Sequence, residues 1–173
     1  MHLKPHDLVA ALKLAVGPSL TYPQLAVALS LSLSEAHGAV KRSQAAGLLL
    51  SDRQPNRPAI LEFVIHGVRY AFPPERGGIT RGMPTAHAAP PLVELIVQDN
   101  DPVPVWPDPP GEARGASFKP LYRGAPKAAR ADAKLYQCLC LIDALRGGRA
   151  RERSLAKEHL TSLLKGSASE AES

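Results

Sequence analysis

The polar side chains that could do chemistry are concentrated in residues 34–57, and their types suit nucleic-acid binding. Lys41 and Arg42 are cations of the kind that contact phosphate oxygens. Arg53 and Arg57 follow in a short polar segment and offer further phosphate contacts. Four residues just ahead of these cations could meet base edges, three through side chains and one through close approach of the backbone: Ser34, Glu35, His37 and Gly38.

Signals for catalysis and for metal binding are weak. The chain has no GxSxG segment and no evident Ser, His and Asp set, so we predict that it is not an enzyme. The glycine-containing loop at residues 76–91 lacks the GxxxxGK[ST] pattern of a phosphate-binding loop. His66 and His87 have no second ligand at a metal-binding spacing, so we expect neither a metal nor a cofactor.

The two cysteines, Cys138 and Cys140, lie two residues apart in a segment with helical character. A helix directs such side chains about 200 degrees apart, so they cannot bond to each other or share a metal. Oxidant sensing and burial in the helix packing both remain open, with burial expected for at least one. Two cysteines and no recognisable export signal predict a cytoplasmic protein.

Composition favours a helical, cationic chain. Of its 173 residues, 45% are hydrophobic with few aromatics, and the formal net charge is +5. Residues 123–157 contain nine lysines or arginines against three acids, so this segment carries the net charge. A basic chain can bind a polyanion. No stretch approaches the roughly 20 apolar residues that span a bilayer, so we expect no membrane partner.

The segment that must position the polar residues is 20–50, which predicts two short helices joined by a turn and followed by a short strand. Thr21 can cap the first helix, and either Ser32 or Ser34 can cap the second. Gly47 suits the left-handed position after the second helix. The second helix is expected to bury Ala36, Ala39 and Val40 and to expose Glu35, His37, Lys41, Arg42 and Gln44.

This arrangement resembles the helix-turn-helix of bacterial winged-helix transcription regulators, the class that includes MarR-like and ArsR-like proteins. The likeness covers roughly residues 5–72, where a helix at residues 4–16 precedes LTYPQLAVALSLSLSEAHGAVKRSQAAGLL. Its features are the small Ala26 in the first helix, the apolar Leu31 in the turn and a basic second helix ending in AAGLL. The resemblance implies that the second helix contacts duplex DNA.

The sequence departs from that class where a wing hairpin would follow. Residues 51–57 are polar and turn-prone, and PAILEFVIHG predicts a helix capped by Asn56 and ended by Gly67. The alternating VRYAF segment predicts a strand that pairs with residues 48–50. We therefore do not expect a wing tip to enter the minor groove.

Beyond residue 72 the chain changes character. Twelve of the 17 prolines lie in residues 73–126, which predicts an extended arm that packs its few large side chains on this or a neighbouring subunit, or else a flexible linker. Two helices with leucine stripes follow. Arg149, Arg151 and Arg153 either solvate the connection between those helices or add phosphate contacts.

The predicted fold is mainly α with a small β element. We expect a winged-helix-like DNA-binding domain at 1–72, a Pro-rich arm at 73–127, a C-terminal helical pair at 128–165 and a disordered tail at 166–173. The predicted function is a sequence-specific regulator of transcription that binds double-stranded DNA and represses as a homodimer, because the leucine stripes need a partner. The alternative is an antitoxin-like or adaptor module whose arm and C-terminal helices bind a protein partner.

Overall fold

The computed structural model describes residues 2–172, and these form eight α-helices, two short 3-10 helices (Ala86–Ala88 and Leu92–Glu94) and a three-stranded sheet. The first five helices are α1 (Pro5–Val16), α2 (Tyr22–Leu29), α3 (Leu33–Ala45), α4 (Arg57–His66) and α5 (Val68–Ala71). The remaining elements are β1 (Arg76–Pro84), β2 (Pro104–Pro107), β3 (Ala113–Phe118), α6 (Ala125–Ala131), α7 (Ala133–Gly147) and α8 (Ala150–Glu172). The predicted class, mainly α with a small β element, is confirmed. Within residues 2–172, no helix combines the length and the apolar character that crossing a membrane requires.

Reciprocal side-chain caps begin both helices of the α2–α3 pair. Thr21 Oγ1 accepts from the Gln24 amide at 3.3 Å, and the Gln24 side chain accepts from the Thr21 amide at 2.9 Å. Ser32, not Ser34, caps α3, since its hydroxyl accepts from the Glu35 amide at 3.1 Å. Such caps satisfy amides that have no partner inside the helix. Gly47 follows α3 with φ of +82°, as predicted.

The strand expected at VRYAF is wrong. Residues 68–71 form helix α5, and the apolar residues after α3 make only an isolated antiparallel bridge between Leu49 and Pro55. The rings of Phe63 and Phe72 meet edge to face with centroids 6.0 Å apart, which holds α5 back against α4. The helix predicted before Gly67 is confirmed, with Asn56 accepting from the Ala59 amide at 3.3 Å.

The proline-rich segment contains three strands, so the prediction of an extended arm is wrong where these strands lie. Strand β1 is antiparallel to both β2 and β3, while β2 and β3 are parallel, so the three strands close on themselves. Trp106 and Phe118 are 1% exposed and pack within the same chain. The few large side chains of this segment therefore anchor the sheet to its own helices.

The C-terminal helices complete the core of the molecule. Leu135, Leu139, Leu160 and Leu164 are at most 1% exposed, and α8 packs on α1, α4 and α7. The expected need of these leucine stripes for a second subunit is therefore wrong, because the same chain covers them. One apolar core includes residues on both sides of the domain boundaries that were predicted after residues 72 and 127. The predicted disordered tail is helical through residue 172, and Ser173 lies outside the described residues.

Candidate nucleic-acid interface

Helix α3 has one face in the core and one in solvent. Ala36, Ala39 and Val40 are fully buried, as predicted. Ser34, His37 and Lys41 are exposed on the other side, three and four residues apart along the helix. Side chains at this spacing share one helix face, so these three groups can be met together by one surface.

Arg42 is half-buried and pairs with a buried carboxylate. Its Nε donates to Asp7 Oδ2 at 2.8 Å and its Nη2 donates to Asp7 Oδ1 at 2.9 Å, while the Asp7 side chain is 0% exposed. The Ser43 hydroxyl also donates to the Asp7 carbonyl at 2.9 Å. The prediction that Arg42 is exposed is therefore wrong. The Arg42–Asp7 pair fixes α3 on α1.

His6 adds a third group to this cluster. Its Nε2 lies 3.3 Å from Arg42 Nη2. Burial lowers the pKa of His6, and the neighbouring Arg42 charge acts in the same direction against the attraction of Asp7. A neutral imidazole can accept from the guanidinium. Hydrogen bonding to Asp7 raises the pKa of Arg42 itself.

Gly38 serves this internal pair. A Cβ placed on Gly38 would lie 2.9 Å from Arg42 Nη1, and the residue is half-buried. The missing side chain therefore makes room for the guanidinium. Gln44, which was expected to be exposed, is also half-buried, and its amide donates to the carbonyls of Leu50 and Ser51 at 3.1 Å each.

A miniature hairpin at residues 48–56 follows α3. The Leu50 amide donates to the Gln54 carbonyl at 2.8 Å, and the Asn56 amide donates to the Leu48 carbonyl at 2.9 Å. Arg53 takes φ of +68° at its turn, a conformation that non-glycine residues rarely adopt. The hairpin is too short to extend far beyond α3.

Tyr22 connects the hairpin to the exposed face of α3. Its ring stacks on His37 with centroids 3.8 Å apart, and the Arg53 guanidinium carbon lies 4.7 Å from the centroid of the same ring. Arg53 Nη1 also donates to the Leu20 carbonyl at 3.3 Å. Arg53 is consequently half-buried at the edge of the face. Sequence analysis missed Tyr22, since no local spacing joins it to His37.

Glu35 and Arg57 are each engaged with the backbone. Glu35 is exposed, but its carboxylate accepts from the Ser32 amide at 2.7 Å, and this backbone bond, with the Ser32 hydroxyl, lowers the pKa of Glu35. Arg57 is half-buried and its Nη2 donates to the Ala15 carbonyl at 2.9 Å. Arg57 therefore ties α4 to the end of α1.

The eight predicted contact residues thus divide into two groups. The structure leaves five exposed or at the edge of α3: Ser34, Glu35, His37, Lys41 and Arg53. Ser34, His37 and Lys41 share one face, whereas Glu35 lies toward His6. The structure places three in internal contacts: Gly38, Arg42 and Arg57. We refer to the first five residues together with Tyr22 as the α3 surface.

Three of the four arginines near the junction of α7 and α8 contact acids or backbone carbonyls. Arg146 Nη1 donates to the buried Asp143 at 2.8 Å, and its Nε donates to the Phe72 carbonyl at 2.7 Å. Arg153 donates to the Gly148 carbonyl at 2.7 Å. Arg149 is exposed, with two acids 3.5 Å away. Arg151 is exposed and has no ion-pair partner within residues 2–172.

Both cysteines lie in the core. Cys138 is 0% exposed and Cys140 is 1% exposed. Burial raises the pKa of both thiols, and the nearby Asp132 and Asp143 charges raise the pKa of Cys138 and Cys140 respectively. Thiolates are the reactive form of cysteine. The packing interpretation is therefore favoured over oxidant sensing.

Comparison of this chain with protein-family models, with curated proteins and with solved structures gave no match. The functional argument accordingly depends on the arrangement of the α3 surface.

Proposed function

We propose that this protein binds double-stranded DNA through the α3 surface and regulates transcription by occupying its site. The supporting observation is that α3 is fixed on α1 by the Arg42–Asp7 pair while Ser34, His37 and Lys41 remain exposed on its opposite face. A rigid helix with a free polar face near its N-terminus is what base contact in the major groove requires. The helix before it crosses the backbone in such complexes.

Each group on the α3 surface has a distinct role in this proposal. Ser34 and His37 lie in the first half of α3, where base edges are met. Glu35 can accept from a cytosine amino group through the carboxylate oxygen that the cap leaves free. Lys41 lies one turn further along and contacts phosphate. Tyr22 and Arg53 hold His37 in place, and the small hairpin leaves the minor groove untouched.

The test is a binding titration of the purified chain with the duplex upstream of its own coding sequence, at two salt concentrations, with a scrambled duplex as competitor. Lys41→Ala should weaken binding to both duplexes. It should also reduce the magnitude of the slope of log affinity against log salt by about 0.9. His37→Ala should narrow the preference for the upstream duplex. Lys157→Ala is the matched control, because Lys157 is exposed on α8. Absence of binding, or equal displacement by both duplexes, would overturn the proposal.

The alternative of a protein-interaction module is supported by a different surface. In the segment between β1 and β2, Leu95 is 45% exposed and Val97 is 94% exposed. The two residues lie two positions apart in the chain, and contiguous exposed apolar side chains are typical of partner surfaces. If the chain does not bind DNA, a partner recovered with it should be lost on Leu95→Ser with Val97→Ser. Deleting the proline-rich segment would not test this, because that segment is part of the core.

A further inference from the structure

Helix α6 is docked against the end of α2, directly beside the turn that leads into α3. The Tyr122 hydroxyl donates to the Leu29 carbonyl at 2.9 Å. A Cβ on Gly124 would lie 2.8 Å from the same carbonyl oxygen, so the backbone approaches α2 as closely as glycine permits. The inner face of α6 is sealed by residues at most 3% exposed: Ala125, Ala128 and Ala129.

The outer face of this docked segment is cationic. Arg123, Lys127 and Arg130 are exposed on it. Arg130 pairs with Asp108, whereas Arg123 and Lys127 make no ion pair within residues 2–172. Asp132, the acid that follows α6, does not neutralise Arg123 or Lys127. Its carboxylate instead pairs with Lys13 Nζ of α1 at 2.5 Å.

These contacts place two unpaired cations next to the turn of the proposed DNA-binding helices. Leu29 is the last residue of α2 and lies four residues before the start of α3 at Leu33. In duplex complexes of helix-turn-helix proteins the first helix of the pair crosses the phosphate backbone. A segment that packs against the end of that helix can therefore lie beside the same phosphate backbone of the duplex.

We propose that Arg123 and Lys127 bind backbone phosphates of the duplex that the α3 surface contacts, so that α6 extends the footprint beyond the helix-turn-helix. This inference rests on the proposed function. The two cations carry no sequence information, since phosphates are alike at every position. They supply affinity and register, and each releases a counterion on binding.

The experiment measures affinity of the full chain for the upstream and the scrambled duplex over a salt series. Arg123→Ala with Lys127→Ala is compared with Lys157→Ala with Lys165→Ala, which removes the same charge from exposed positions on α8. The first variant should lose about 1.8 from the slope of log affinity against log salt. Its affinity for both duplexes should fall by the same factor. The α8 variant should keep the wild-type slope. All four residues are exposed, and matching thermal melts establish that both variants fold.

A slope for the α6 variant equal to that of the α8 variant would overturn this inference while leaving the proposed function standing, provided that Lys41→Ala still weakens binding. If the wild-type chain binds neither duplex, the proposed function fails and this inference fails with it. Retention of duplex binding with loss of an acidic protein partner in the α6 variant would also overturn it, because the cations would then serve that partner.

Discussion

Lys41 and Arg42 are adjacent cations on α3 that lie in opposite environments. Successive residues of a helix point about 100 degrees apart, so one can face solvent while the next turns toward a neighbouring helix. Asp7 on α1 determines the direction of Arg42, because a fully buried carboxylate needs a positive partner. Arg42 therefore stabilises the packing of α3, while Lys41 is available for the proposed contact with DNA.

Arg42→Ala should lower the free energy of unfolding by about 1–3 kcal/mol, because the buried Asp7 carboxylate then keeps only the Lys4 amide and the nearby His6. Lys41→Ala should change it by less than about 0.5 kcal/mol, as expected for an exposed side chain. Urea unfolding followed by far-UV circular dichroism measures both. Equal, small effects of the two substitutions would show that the Asp7 pair does not hold α3 on α1.

Asp132 provides a prediction about acid stability. Burial disfavours its charge, but the bonds from Lys13 Nζ and the Leu135 amide, with the Lys13 charge, outweigh burial and lower its pKa. A lowered pKa in the folded state stabilises the protein above the ordinary pKa of the carboxyl. This stability is lost as the pH falls through the lowered value.

Asp132→Asn should therefore flatten the acid limb of stability against pH, while asparagine can still cap α7. Urea midpoints from pH 7 to about pH 2 cover the ordinary pKa of the carboxyl and the range below it, where the loss is expected. Glu62→Gln is the control, since Glu62 is exposed and forms no ion pair within the described residues. An unchanged acid limb in Asp132→Asn would contradict the assigned role of the Lys13 pair.

The three-stranded sheet is an element that close backbone contacts make possible. A Cβ on Gly82 would collide with the Trp106 carbonyl oxygen, and a Cβ on Gly115 would collide with the Val103 carbonyl oxygen. Side chains are excluded where the strands approach so closely. The prolines of this segment fall at strand ends and in connections, as at Pro84, Pro104 and Pro107, where they do not interrupt a central ladder.

Gly115→Ala should destabilise the protein by about 1–3 kcal/mol or more, because the new methyl group collides with backbone that cannot rotate away. Gly78→Ala on β1 is the matched control, since no atom lies within 4 Å of its Cβ position. Thermal melts monitored by Trp106 fluorescence report on the sheet directly. If both substitutions give the same melting temperature, the strands do not close as tightly as described.

At the scale of the whole molecule, one apolar core joins the N-terminal helices, the sheet and the C-terminal helices. Helix α8 contributes Ala156, Leu160 and Leu164 at 0% exposure, and it packs on α1 and α4. Helix α8 therefore supports α1, against which α3 packs. Unfolding should be cooperative across the predicted domain boundaries.

Leu164→Ala should cost about 2–5 kcal/mol of unfolding free energy through the cavity it leaves in this core. The transitions seen by Trp106 fluorescence and by far-UV circular dichroism should shift together. Lys165→Ala, one residue further on the exposed side, should shift neither. A fluorescence transition that stays in place would show that the C-terminal helices unfold as a separate unit.

The sequence by itself determined the features that depend on neighbouring residues. The caps by Thr21 and Asn56 follow from local hydrogen bonds, and the left-handed Gly47 follows from backbone strain. The burial of Ala36, Ala39 and Val40 and the exposure of Lys41 follow from the helical period. These interactions span four residues or fewer, so the order of residues specifies them.

Only the tertiary structure decided the features that join distant parts of the chain. The capture of Arg42 by Asp7 spans 35 positions, and the bond from Tyr122 to Leu29 spans 93. The closing of the sheet, the turn of VRYAF into α5 and the burial of the leucine stripes likewise depend on which surfaces meet. A cation or a leucine stripe has the same local pattern whether its partner is DNA, a second subunit or its own chain, and packing selects among them because burial rewards whichever apolar surface or countercharge lies in reach.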